Sequence, residues 1–202
     1  LPTYDTSALR GERIDTRELV ADHRLNRQTQ VRASLYRWRL DDMLVLGNDP
    51  VSAMAQYQNG QPLSAQGLEL SLDRTWNDGS RLRGSWSLQQ TAYRDGQSLL
   101  KPPSRLFKLL ISRPIALLGA QLGYETYYDS SRLTLAGKRL GGYRIANLVL
   151  RWDQAVKNWE FSAGVNNVFD KHYAQPAADS NWQNALAQDG RSLRVQASYR
   201  FH

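Results

Sequence analysis

Histidines and carboxylates are the residues of this sequence that could bind a metal or move a proton. His23 and His172 are far apart, there is no cysteine, and no H-x-x-x-H spacing occurs. Protein zinc sites draw on Cys, His and carboxylate ligands at short, regular spacings. We therefore expect no metal site made by this chain alone.

Asp170, in the segment F-D-K, is a candidate general acid. An Asp at the end of a strand more often hydrogen-bonds the backbone of its own loop. Gly141-Gly142 does not precede a helical pattern, as a phosphate-binding loop would, and no pairing of a nucleophile with a base is apparent. We expect no enzymatic activity, no catalytic residue and no bound cofactor.

The closing stretch, Gly190 to Phe201, shows what kind of element carries these residues. Leu193, Val195, Ala197, Tyr199 and Phe201 alternate with Ser192, Arg194, Gln196, Ser198 and Arg200. Successive side chains of a strand point to opposite faces, so this segment has an apolar face and a polar, cationic face. The spacing predicts a β-strand and not a helix.

The same alternation recurs and predicts about nine strands in the 202 residues. Tight turns are expected near Asn26 and at Asn77-Asp78-Gly79. Loops are expected at Gly47-Pro50, between Asp95-Gly96 and Pro102-Pro103, at 130–142 and at 169–189, and Pro114 is expected to end a strand. One long strand is expected from about Ala53 to Trp76. Short and long connections thus alternate, as they do in transmembrane barrels.

Composition restricts the classes of protein further. Ten Tyr and six Trp against four Phe favour amphipathic aromatic residues, and no apolar run is long enough for a transmembrane helix. The net charge of +7 comes from arginines spread along alternating segments. This distribution does not favour a nucleic-acid surface.

Aromatic and charged residues favour a membrane barrel over a soluble sheet. An aromatic girdle is expected near the short turns, at Trp76, Trp152, Trp159, Tyr199 and Phe201. The charge-free face of the strands predicts lipid contact by Leu68, Leu70, Leu82, Trp86, Leu122, Leu148, Phe161, Val195 and Ala197. The opposite face carries charges that no dry core accepts unpaired, which predicts a lumen lined by Glu69, Asp73, Arg83, Glu160, Arg194 and Arg200.

Several motifs resemble those of TonB-dependent outer-membrane receptors. The segment G-V-N-N-V-F-D-K-H-Y, Gly164 to Tyr173, is similar to the family's N-L-F-D-K-x-Y. The closing strand resembles the family's last strand, which ends in an aromatic residue. Tyr57-Gln58-Asn59 followed by Gly67-Leu68-Glu69-Leu70 resembles a further family strand, and Leu9 and Glu12 are a weak echo of another motif.

The resemblance implies a fold and a function. The expected fold class is all-β: part of an antiparallel transmembrane β-barrel, about nine strands of a larger, plugged barrel. Residues 1–202 would form its C-terminal segment, without the plug and the earlier strands. The implied function is energised uptake of a scarce nutrient across the bacterial outer membrane, with a ferric siderophore as first candidate and cobalamin, haem or glycans as rivals.

The resemblance also implies partners and residue roles. The partners would be outer-membrane lipid, the TonB energy-coupling system acting through the plug, the barrel assembly machinery and the iron-siderophore ligand. Tyr173 and Trp182 would help form the ligand vestibule, and Tyr199 and Phe201 would belong to the assembly signal. Two alternatives remain: a small stand-alone outer-membrane barrel with a structural or adhesive role, and a soluble β-sandwich binding module.

Overall fold

Alternating side chains make β-strand the predominant secondary structure of the described residues. The computed structural model describes residues 9–48, 54–93, 104–178 and 181–201. The strands in these segments are β1 (Arg13–Asn26), β2 (Thr29–Asp41), β3 (Leu44–Asn48), β4 (Ala55–Asn59), β5 (Leu63–Thr75), β6 (Arg81–Tyr93), β7 (Arg105–Ile115), β8 (Ala120–Asp129), β9 (Arg132–Leu133), β10 (Arg139–Leu140), β11 (Tyr143–Val156), β12 (Trp159–Asn166), β13 (Ala174–Pro176), β14 (Ala185–Ala187) and β15 (Ser192–Tyr199).

Nine of these strands form one sheet in the order β1-β2-β5-β6-β7-β8-β11-β12-β15. Pairing from β6 to β15 is antiparallel throughout. The remaining strands form three two-stranded hairpins within the connections, β3-β4, β9-β10 and β13-β14. The predicted all-β fold with about nine antiparallel strands is confirmed, and β1 and β15 lie at the two edges of the sheet.

Short and long connections alternate along this sheet. Residues 27–28, 76–80, 116–119 and 157–158 join strands at one end, which we call the turn end. The longer connections follow β2, β6, β8 and β12 at the other end, the loop end. In the turn at 76–80, the Trp76 N–H donates to the Ser80 carbonyl at 2.8 Å and Gly79 has a φ of 81°, a conformation that glycine adopts without strain.

Strand register gives the sheet two distinct faces, because residues directly opposite each other on antiparallel strands share a face. Leu82 lies opposite Ile111, Ile111 opposite Tyr124, Tyr124 opposite Leu148 and Leu148 opposite Val165. We call this the apolar face. The seven residues predicted to contact lipid from β6 to β15 all lie on it: Leu82, Trp86, Leu122, Leu148, Phe161, Val195 and Ala197.

The opposite face is polar. Ser85 lies opposite Lys108, Asn147 opposite Glu125, and Gly164 opposite Arg194. On β5, Asp73 bonds Arg81 and Arg83 of this polar face, so Leu68 and Leu70, which alternate with it, share the apolar face. That the apolar face points away from the barrel axis stays a prediction.

Contacts divide the described residues into two compact units, and each is described by itself. The first comprises residues 9–19, 35–48, 54–67 and 89–93, and the second comprises residues 20–34, 68–88, 104–178 and 181–201. In the first unit, the β3-β4 hairpin is joined to the segment before it through Asn59, whose amide donates to the carbonyls of Arg10 and Asp42, both at 2.8 Å.

Three predictions about the strands are wrong. The long strand from Ala53 to Trp76 is interrupted, because the Gly60 N–H donates to the Met43 carbonyl at 2.6 Å and Pro62 has no N–H for a ladder. Gly47 and Asn48, expected in a loop, lie in β3.

Pro114 does not end its strand; it lies within β7 opposite Gln121. A proline so close to a strand end removes at most one ladder hydrogen bond. The predicted loop residues Asp49-Pro50, Asp95-Gly96 and Pro102-Pro103 lie outside the described residues. No helix in the described segments is long and apolar enough to cross a membrane.

Candidate functional site

The polar face near the turn end carries a network of ion pairs. Glu160 on β12 accepts a hydrogen bond from Arg200 at 3.0 Å and lies 3.6 Å from the guanidinium of Arg151. Asp73 on β5 bonds Arg81 at 3.0 Å and Arg83 at 2.9 Å. Because Glu160 and Asp73 are paired, neither carboxylate is left as an isolated charge on this face.

Further along the polar face, seven strand residues with hydroxyl or charged groups line a depression of about 340 Å³. Glu69 lies in its wall, 3.5 Å from the Ser87 hydroxyl. The polar lining is completed by Arg32, Ser34, Ser71, Ser85 and Lys108. Leu70, Trp86 and Leu106 also line the depression, so it offers both hydrogen-bonding groups and apolar contact.

Five of the six residues predicted to line the lumen lie on strands of the polar face, and Arg200 pairs with Glu160 just beyond β15. Arg194 lies opposite Gly164 and donates to Gln196 at 3.3 Å. The structure thus distributes these residues along a wall and does not gather them into one site. Their role as lumen residues stays a prediction.

Three tyrosines gather at the loop end. The rings of Tyr143 and Tyr173 lie 4.2 Å apart between centroids, and Tyr127 meets Tyr143 edge-on at 6.3 Å. The hydroxyls of Tyr127 and Tyr173 are 3.5 Å apart. Tyr127 and Tyr143 lie on the polar face, where Tyr127 is opposite Ile145 and Tyr143 is opposite Asp129.

Polar groups hold this tyrosine cluster in place. The Tyr143 hydroxyl donates to Asp129 at 3.1 Å and accepts from the Gln175 amide at 3.1 Å. Asp129 is buried and also pairs with Arg132. The cluster therefore packs the buried Tyr143 against Tyr127 and Tyr173, and these two partly exposed tyrosines offer a surface suited to a planar or hydrogen-bonding ligand.

Sequence reasoning identified Tyr173 but not its partners. Tyr127 and Tyr143 lie in strands, so alternation alone gave no reason to associate them with a loop residue. The available signal was that both stand next to or near the long 130–142 connection. Trp182 is fully exposed and packs against no neighbour, so the structure does not bring the two predicted vestibule residues together.

The N-N-V-F-D-K segment fastens both ends of the 167–191 connection. Asn167, which is buried, donates to the carbonyls of Lys171 at 3.0 Å and Asp189 at 3.4 Å. Asp170 accepts the Arg191 N–H at 2.7 Å, and a Cβ at Gly190 would lie 2.7 Å from the same carboxylate oxygen. Asp170 therefore holds its own loop, the expected structural role.

Aromatic side chains cluster at the turn end of the apolar face. Trp159 stacks with Phe161 at 5.7 Å and packs against Tyr199 at 5.1 Å, and Tyr199 meets Phe201 edge-on at 4.8 Å. Trp152 lies opposite Phe161, so four strand aromatics and Phe201 form one patch. The patch has the position of an interfacial aromatic girdle. The assembly role of Tyr199 and Phe201 stays a prediction.

Within the described segments, no group of three or more His, Cys, Asp or Glu side chains could hold a metal ion.

Comparison with protein families identifies the fold. Residues 2–168 match the family model described as the TonB dependent receptor-like β-barrel. The chain belongs to this family. Members of the family are bacterial outer-membrane proteins, so the predictions of family and of outer-membrane location are confirmed. A comparison with curated protein sequences finds no significant match.

Solved structures of receptors share the fold of the chain. It resembles the ferric-catecholate import receptor Fiu from E. coli K12 (TM-score 0.74, 19% identity, 94% of this chain, 28% of that chain). It resembles FpvA from Pseudomonas aeruginosa PAO1 bound to pyoverdine (TM-score 0.78, 16% identity, 96% and 30%). It also resembles the copper transporter OprC (TM-score 0.75, 16% identity, 98% and 32%). The chain therefore spans about a third of the length of these receptors.

Proposed function

We propose that this chain forms part of the wall of an outer-membrane receptor that imports a scarce nutrient, with a ferric siderophore as its first candidate ligand. The observation that carries the proposal is the cluster of Tyr127, Tyr143 and Tyr173 on the polar face at the loop end. In transmembrane barrels the loop end faces outside the cell, where a ligand arrives. Of the receptors that share this fold, Fiu is a ferric-catecholate import receptor and FpvA is a pyoverdine receptor.

The chemistry of the tyrosine cluster fits such a ligand. Siderophores with aromatic chelating groups can stack on tyrosine rings, and phenolic hydroxyls can donate to their oxygen atoms. A chain of net charge +7 also attracts anionic complexes. A metal held inside the imported complex is substrate and requires no ligand from this wall.

The polar face would contact the plug. Glu69, Arg83 and Arg194 supply charged hydrogen-bond partners along the wall, and water would bridge the remaining gaps. We propose that the TonB system acts through that plug, that the barrel assembly machinery recognises the strand ending at Tyr199 and Phe201, and that the chain carries no enzymatic activity.

The test is ligand binding by the full-length receptor that contains this chain. Tyr173→Ala removes the ring that stacks on Tyr143, and Tyr143→Phe removes the hydroxyl that bonds Asp129 and Gln175. Intrinsic fluorescence quenching would be titrated with a ferric catecholate, a ferric hydroxamate and Cu(II). Trp86→Ala, on the apolar face, is the matched control.

We expect Tyr173→Ala to weaken binding of one ferric complex at least tenfold, and Trp86→Ala to leave it unchanged. Loss of a buried aromatic anchor commonly costs about 2 kcal/mol or more, which supports this magnitude. Saturable binding of Cu(II) alone would favour the copper function instead. Wild-type affinity in both tyrosine variants would contradict a ligand role for the cluster.

A further inference from the structure

Four arginines come together near the loop end of the β1-β2 hairpin, although they are spread along the sequence. With two aspartates and Trp38 they line a depression of about 430 Å³. We call it the arginine patch; its charged members are Arg13, Asp15, Arg17, Arg37, Arg39 and Asp41. These arginines belong to separate alternating segments of the sequence, and the hairpin brings them together.

The patch lies on the apolar side of its strands. Arg32 and Ser34 of β2 line the polar-face depression, and the Tyr36 hydroxyl lies 3.5 Å from the Gln89 side-chain oxygen. Residues alternating with these belong to the other face. On that face, β2 carries first Val31, Ala33 and Leu35, then Arg37, Arg39 and Asp41.

The adjacent strand changes character in the same way. The corresponding face of β1 carries Leu19, Ala21 and Leu25, with His23 between the last two, toward the turn, and Arg13, Asp15 and Arg17 toward the loop end. Two neighbouring strands thus pass from apolar to charged side chains along one face. On the lipid-facing surface of a barrel, such a change marks the level where hydrocarbon gives way to headgroups.

Charges within the patch do not cancel. The Nε of Arg39 donates to both carboxylate oxygens of Asp41 at 2.9 Å. The Nε of Arg17 lies 3.6 Å from a carboxylate oxygen of Asp15. Within the described residues, Arg13 and Arg37 have no carboxylate partner. The patch therefore has a net positive charge of two, and several of its guanidinium N–H groups have no acceptor among the residues that the structure describes. A barrel surface at the membrane boundary does not require such a charge.

We propose that the arginine patch binds the phosphate groups of anionic lipid headgroups in the outer leaflet. Guanidinium groups form paired, charge-assisted hydrogen bonds with phosphate oxygens, and two strands of arginines can hold more than one phosphate. Anionic lipid surfaces attract basic residues placed at the membrane boundary. The proposal depends on the membrane placement of the barrel and not on which nutrient is imported.

Native mass spectrometry of the full-length receptor in detergent tests this proposal. The receptor would be titrated with phosphatidylglycerol, and with phosphatidylcholine as the zwitterionic comparison. Arg13→Gln/Arg37→Gln removes the two unpaired charges without exposing a carboxylate. Arginine near an anionic surface contributes roughly fivefold in affinity, so the pair should weaken phosphatidylglycerol binding about 30-fold.

Three controls distinguish lipid binding at the arginine patch from an effect of net charge or of misfolding. Arg194→Gln removes a charge on the polar face and should leave lipid binding unchanged. Asp15→Asn removes a carboxylate from the patch and should strengthen binding. In the wild-type receptor, which needs no mutation to fold, phosphatidylglycerol binding should weaken as salt is raised.

The outcomes that overturn the proposal are distinct. Wild-type phosphatidylglycerol affinity in Arg13→Gln/Arg37→Gln would show that the patch is not the site. An equal loss in Arg194→Gln would assign the effect to net charge. Equal binding of phosphatidylcholine would leave only a general lipid surface. None of these results bears on nutrient import, which the tyrosine variants test separately.

Discussion

Val195→Arg tests which face of the sheet meets the bilayer. Val195 lies on the apolar face opposite Ala163, and 83% of its surface is exposed in the isolated chain. It helps line an apolar depression of about 270 Å³ whose other residues include Leu148 and Leu193. An arginine placed here would enter hydrocarbon if this face is the lipid face.

The depth of Val195 sets the expected magnitude. It lies four residues from Tyr199 of the aromatic patch, which is roughly 13 Å along a strand at ~3.3 Å per residue. With a strand tilt of about 40°, this corresponds to a depth of ~10 Å in an apolar band about 25 Å tall. Val195 is therefore close to the midplane, where arginine costs about 2–4 kcal/mol.

Gln196→Arg is the matched variant on the other face. Gln196 lies opposite Ser162 and beside Arg194, so the new charge meets water and one like charge. A like-charge neighbour on a strand costs roughly 0.2–1 kcal/mol. Urea titrations of the full-length receptor refolded into phosphatidylcholine vesicles would measure both free energies of unfolding. Equal free energies for the two variants would refute the assignment of faces.

Four further outcomes follow from the structure. Glu160→Gln should lower the free energy of unfolding by less than about 1 kcal/mol in urea titrations, since its ion pairs are partly exposed; a loss above that would show a dry site. Asp170→Ala should hasten proteolysis of the 167–191 connection, whereas Asp170→Asn, which keeps an acceptor and tolerates its φ of 52°, should not; equal rates would contradict the clasp. Hydrogen bonds from the Ser80 N–H and hydroxyl hold the pKa of Asp78 below its ordinary value of 3.8. Asp78→Asn should therefore be less stable than wild type above pH 3.8, and the difference in the free energy of unfolding should vanish as the pH falls through the lowered pKa. A difference that does not change with pH would exclude this linkage. Truncation before Phe201 should reduce the amount assembled in the outer membrane more than the ligand affinity of assembled molecules, and the reverse result would place the ligand at the turn end.

The alternation of apolar and polar residues predicted most of the strands from the sequence. β6 has the predicted bounds, Arg81 to Tyr93, because its apolar and polar residues alternate from Leu82 to Gln89 and Asn77-Asp78-Gly79 closes the hairpin before it. Alternation failed at residues 53–62, where Asn59 and Gly60 bond to residues before β3. A local pattern contains no information about such distant partners.

The candidate site could be predicted only in part for the same reason. Tyr173 could be predicted because it ends the segment that resembles the family motif N-L-F-D-K-x-Y. The role of Asp170 could be predicted from its place at a strand end. The tyrosine cluster depends on the register of β8 and β11 and on the return of a loop, which brings Tyr173 onto Tyr143. Similarly, the arginine patch arises from pairing of β1 with β2, which composition does not record.

The edges of the sheet connect the fold with the proposed function. In the described part of the chain β1 and β15 have one neighbouring strand each, so each leaves a row of backbone N–H and C=O groups without a strand partner. A bilayer offers no hydrogen bonds to these groups, and a spanning sheet must therefore be closed.

An odd number of antiparallel strands would bring β1 and β15 together in parallel, whereas single-chain bacterial barrels normally close with even numbers. Further strands between these edges satisfy both conditions and leave room for a plug, as in the 22-stranded transporters. In such a barrel we expect the arginine patch to lie on the outer surface and the polar face to line the lumen.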